Sequence, residues 1–94
     1  MLTRLSVTFK IETLPETNGT GIKLIGWLRS EYLAELRAKI ASSGRPVVLE
    51  MAEVTLVDVE AVRFLGACET KGIELRHCPT YIREWIARER GRKV

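Results

Sequence analysis

The sequence predicts an α/β domain: a mixed four-stranded sheet opened by an N-terminal hairpin, with helices mainly on one face, in the order ββαβαβα. Three observations carry that prediction. The first residues alternate apolar and polar with the two-residue period of a half-buried strand. Further along, apolar stripes at helical spacing alternate with short β-branched runs, the pattern of strand–helix–strand units. Turn-forming Asn18-Gly19, Gly44-Arg45-Pro46, Gly72 and Pro79 fall at the changeovers.

Each element has its own grounds. Leu5, Val7, Phe9 and Ile11 alternate with Ser6, Thr8 and Lys10, which predicts a first strand over 5–11 that Pro15 brings to an end. Asn18-Gly19-Thr20-Gly21 supplies the turn into a second strand, Ile22 to Leu28. Ser30 stands before Glu31, Leu33, Leu36 and Ile40, so an N-cap, an early acid and an apolar stripe predict a helix over about 30–42. Gly44-Arg45-Pro46 stops it, and Val47 to Met51 reads as a buried central strand.

Asp58 caps a second helix in which Ala61, Val62, Leu65 and Cys68 face one way, and Gly72 closes it. Ile73 to His77 is the last strand. Pro79 and Thr80 start a third helix with Ile82, Trp85 and Ile86 on one side. Strands joined through helices call for right-handed crossovers and parallel pairing, while the opening hairpin is antiparallel. Thr8, Lys10, Lys23, Glu74 and Arg76 fall in one alternation class, so one sheet face is expected to be wet.

Composition narrows the function. The chain has 94 residues, 46% hydrophobic and 29% charged, which suits one folded domain over 1–90 with a short basic tail over 91–94. Up to residue 81 ten basic side chains meet ten acidic ones; from 82 onward Arg83, Arg88, Arg90, Arg92 and Lys93 face only Glu84 and Glu89, so the net charge of +3 belongs to that end. The basic end suits a helix C-terminus, and it leaves weak contact with an anionic membrane surface open. Nucleic acid is not expected as a partner, because no base-reading motif accompanies the tail.

One histidine, His77, and one aspartate, Asp58, leave little for a hydrolytic triad, so no enzyme and no catalytic residues are expected. Cys68 and Cys78 lack the spacing of a redox pair or a zinc half-site and read as reduced thiols, so neither metal nor cofactor is expected. With no apolar signal region or spanning stretch, the expected location is the cytoplasm.

Two stretches resemble a known family. Leu24-Ile25-Gly26-Trp27-Leu28 followed by a helix resembles the L-x-G-x-L element of STAS domains. Val47-Val48-Leu49-Glu50-Met51 with Val54-Thr55-Leu56-Val57-Asp58-Val59-Glu60-Ala61-Val62 resembles their strand, loop and helix start, and Gly72 to Pro79 their last strand and helix entry. The resemblance runs from about Leu5 to Ala87 and implies a module acting through protein contacts, often as an anti-sigma-factor antagonist whose serine after the Asp is phosphorylated by a partner kinase. At the serine positions this chain carries Val59 and Glu60, so the phosphorylation position is substituted. Ala61 replaces the usual Gly, and Arg29 and Glu50 stand where the family usually has Asp. The implied partners are an anti-sigma or kinase-like protein or, alternatively, the ATPase of an ABC-type lipid-transport system with this chain as its accessory subunit.

The residues themselves point to the same surface. Thr55, Asp58, Val59, Glu60, Arg63, Phe64 and Ala67 are the candidate partner-binding residues. Asp58 satisfies the first N–H groups of the helix, Val59 and Phe64 offer apolar contact, and Glu60 and Arg63 set charge specificity. Thr55 is read as a loop hydroxyl open to modification. Phe64 lies off the inward stripe, either as an exposed contact or packed beneath a neighbouring helix or the chain terminus. Ile25 and Trp27, opposite Leu24 and Leu28, leave a homodimer through the wet sheet face open.

Overall fold

The computed structural model describes residues 9–91. In chain order they form strands β1 (Phe9–Leu14) and β2 (Thr20–Leu28), a short 3₁₀ turn (Ser30–Tyr32), helix α1 (Leu33–Ala41), strand β3 (Val47–Val57), helix α2 (Val59–Thr70), strand β4 (Glu74–Arg76) and helix α3 (Thr80–Gly91). The ββαβαβα order and the α/β class are as the sequence predicts. Residues 5–8 of the expected first strand and 92–94 of the expected basic tail lie outside the described residues.

The sheet order is β1-β2-β3-β4, with β1 antiparallel to β2 and the rest parallel. Ile22, Leu24, Leu28, Leu49 and Met51 turn inward with no exposed area and meet Leu36, Val62, Leu65 and Ile82 from the three helices in one core. The opposite face is charged, as the shared alternation class predicts for Lys10, Lys23, Glu74 and Arg76. Lys10 pairs with Glu12, Lys23 with Glu53, and Arg76 with Glu16 and Glu74.

Strand β2 starts two residues earlier than expected and β4 is one residue shorter at each end, leaving Ile73 and His77 outside it; three further boundaries differ more. The first strand continues past Ile11 to Leu14, because Lys10 to Leu14 pair in register with Gly21 to Ile25. The Ser30 hydroxyl does not cap α1: a 3₁₀ turn precedes the helix, and neither Arg29 before the turn nor Tyr32 before the helix caps it with its side chain. Most notably β3 runs on to Val57, so 52–57 is strand and not loop. Opposite each of two β2 steps, Lys23 to Ile25 and Gly26 to Trp27, β3 spends one extra residue, and its inward side chains pass from a spacing of two to Met51, Val54 and Val57.

Helix α2 ends as Gly72 foretells. At φ of 93° Gly72 donates its N–H to the Glu69 carbonyl (3.0 Å), while the Ile73 N–H reaches back to Cys68 (3.1 Å), a Schellman cap. Helix α3 is fastened to α2 by arginines the sequence places in a solvated end. Arg83 meets Glu69 at 2.7 Å, and Arg90 donates to the Gly66 carbonyl at 3.0 Å. Among the described residues no helix is long and apolar enough to cross a membrane.

Candidate functional site

The site is built around the junction of β3 and α2. Asp58 has extended backbone and precedes the helix, and its Oδ1 accepts the Ala61 N–H at 2.9 Å, as the sequence predicts for the cap. Its other oxygen, Oδ2, accepts the Ser30 N–H at 2.9 Å, and its own N–H donates to the Leu28 carbonyl. One carboxylate therefore joins the β2–α1 corner to the start of α2. Ala61 is a local helix-cap partner three residues on, while Ser30 lies 28 residues back, so that second bond is a tertiary joint.

From that fixed start α2 presents Glu60, Arg63 and Ala67 as an exposed stripe at helical spacing. The Arg63 guanidinium donates to Glu89 Oε1 of α3 at 3.0 Å and lies 3.5 Å from Glu60 Oε2, which orients it along the helix surface. Val59, in the first turn, is half-buried.

Phe64 is not an exposed contact. It is 9% exposed and belongs to the core, with the Arg37 guanidinium of α1 lying 5.0 Å over its ring. The ring is buried, as the second of the two sequence readings has it, but its cover on the α1 side is the Arg37 side chain and not the body of the helix. Thr55 sits in β3 and not in a loop. It is exposed between inward Val54 and Val57, and its carbonyl accepts the Tyr81 hydroxyl at 2.6 Å. The structure thus brings Asp58, Val59, Glu60, Arg63 and Ala67 together at the start and exposed side of α2, sets Phe64 behind them, and leaves Thr55 on the strand.

Sequence reasoning passed over the surroundings of Phe64. Helix α2 packs closely on α3 but makes no comparable contact with α1. Between α1 and α2 runs a groove of about 790 Å³, lined by Phe64 and Ala67 together with Arg37, Arg45 and Lys71. The three cations carry no periodic signal linking them. Only the placement of two helices above adjacent parallel strands assembles them.

The opposite sheet face carries the lone histidine. His77 takes positive φ (55°), and its Nδ1 lies 2.9 Å from Glu50 Oε2. Burial pushes the Glu50 carboxyl up, but the hydrogen bonds from His77 and the Ala52 N–H outweigh it and hold the group below its ordinary 4.5. Trp27 is 37% exposed beneath the Arg29 guanidinium, and its register partner Leu56 is 51% exposed, so apolar surface does stand at that end of the sheet. Cys68 and Cys78 are free thiols, and among the described residues no cluster of three or more metal-ligating side chains occurs.

Compared with known proteins, the chain matches no family model, no curated protein and no solved structure.

Proposed function

We propose that this chain is a small cytoplasmic regulatory module that binds another protein through the exposed stripe at the start of α2, resembling an anti-sigma-factor antagonist without the serine switch. The observation that carries the reading is the double acceptance by Asp58. It holds the helix start against the β2–α1 corner, so Val59, Glu60, Arg63 and Ala67 are presented on a surface already ordered before a partner arrives. Less ordering entropy is then lost on association.

The chemistry of the stripe is docking. A serine at 59 would place a phosphate with close to two negative charges at the positive end of the helix, and valine can carry none. Glu60 supplies a fixed single charge in the first turn, and Arg63, steered by Glu89, supplies the opposite sign beside it. A partner reads that pair together with the small apolar surface of Val59 and Ala67.

Affinity capture from the source cell with mass-spectrometric identification tests the reading. The natural chain is expected to retain a kinase-like protein, and Glu60→Arg/Ala67→Glu, two changes on exposed positions, is expected to release it. Retention by an ABC-type transport ATPase would assign the chain to the accessory-subunit class while preserving the docking surface. A partner held equally by the variant, or no retained protein, would overturn the proposal.

A further inference from the structure

The groove between α1 and α2 has the build of a site for one amphipathic anion. Its volume, about 790 Å³, is that of a small-molecule site, in the range of roughly 300–1,000 Å³. Leu33, Ile40, Val47, Phe64, Cys68 and Ile73 give it an apolar lining. Burial pushes the Cys68 thiol up to about 11, so it stays protonated at neutral pH and adds apolar surface, not a nucleophile.

Charge is distributed unevenly along it. Among the described residues, the cations without a carboxylate partner are Arg37, Lys39, Arg45, Lys71 and Arg88, and three of these line this groove. Arg45 and Lys71 stand at the same end. Val48 and Glu74 are partners on adjacent parallel strands, and each cation precedes its strand residue by three positions. At this end the last carbonyls of α2 already accept the Lys71, Gly72 and Ile73 N–H groups.

The remainder of the groove is neutralised. Arg37 is engaged over the Phe64 ring, and Arg63, toward the other end, is balanced by Glu89 and Glu60, the one carboxylate among the lining residues. An acidic helix from a partner would need cations along its whole length. The groove offers an apolar body with one positive end, which fits a single headgroup on a single chain.

We propose that this groove binds a long-chain fatty acid, with its carboxylate between Arg45 and Lys71 and its hydrocarbon chain along Ile40 and Phe64 toward Leu33. Arg37 then lies over the chain as a lid resting on Phe64. The groove shares Glu60, Arg63 and Ala67 with the docking stripe, but oleate binding is read without a protein partner and so holds or fails independently of the docking reading.

Titration of the full chain with oleate below its micelle concentration, followed by amide NMR and calorimetry, decides the matter. Expected are saturable binding of one oleate per chain and shifts at Ile40, Phe64, Cys68 and Lys71. Arg45→Glu/Lys71→Glu should weaken binding by at least about tenfold. Ala67→Trp, which fills the groove while keeping both cations in the sequence, should weaken it as well, with circular dichroism reporting that both variants remain folded. Dodecyltrimethylammonium, with a like tail and the opposite charge, should leave those residues unperturbed. Absence of saturable oleate shifts, oleate affinity unchanged in either folded variant, or equal shifts with the ammonium would overturn the proposal.

Discussion

Asp58 accepts two N–H groups, one three residues on at Ala61 and one 28 residues back at Ser30, and the consequence is measurable. Asp58→Ala removes the cap of α2 and leaves the Ser30 N–H without its acceptor, so urea unfolding should give a loss of about 2 kcal/mol. Asp58→Asn keeps an acceptor oxygen and should lose about half of that. The cap itself was legible, because an acid stands directly before an apolar helical stripe. The Ser30 contact was not, since a donor supplied from the far side of a crossover leaves no local pattern. Glu50 makes a second test at this scale. Its carboxyl is held below 4.5 in the folded protein, so the unfolded chain binds more protons in the window beneath that value. Its contribution is complete above about pH 4.5 and is lost as pH falls through the lowered folded value. Thermal melts on acidification should therefore show a shallower loss of stability for Glu50→Gln than for the natural protein.

At the scale of elements, periodicity was a good guide wherever it stayed regular. The hairpin, α1, α2 and α3 were readable because Ile22, Leu24 and Leu28, or Ala61, Val62, Leu65 and Cys68, keep one period over the whole element. The second half of β3 was not readable. Two added residues change the inward spacing, so Ala52-Glu53 and Thr55-Leu56 are exposed as pairs and resemble a loop in sequence. Gly72 was legible as a helix stop for a definite reason, its positive φ. Gly72→Ala should cost about 1 kcal/mol through the left-handed conformation alone, since open space surrounds the added Cβ. Phe64 was ambiguous because a residue beside the inward stripe is buried or exposed according to where the neighbouring helix lies. Its burial predicts that Phe64→Ala loses about 3 kcal/mol in urea unfolding, which makes that substitution unsuitable for probing a surface.

For the molecule as a whole, the surplus positive charge is divided between structure and surface. Arg83 and Arg90 are used to hold α3 on α2, whereas Arg45 and Lys71, at one end of the α1–α2 groove, have no carboxylate partner among the described residues. Sequence order alone put the charge asymmetry at the C-terminal end. Folding gathers Arg37, Arg45 and Lys71, three cations from the part of the chain that is neutral on average, beside one groove. The two faces of the sheet divide the remaining roles: one is closed by helices and bears the α2 stripe, and the other is a field of ion pairs with Trp27 and Leu56 at its edge. The central claim is that the stripe on α2 is the docking surface, and calorimetric titration with the captured partner tests it most directly. Glu60→Arg/Ala67→Glu should weaken binding by about a hundredfold or more relative to the natural chain while its melting curve stays unchanged. Equal affinity of the folded variant and the natural chain would contradict the account.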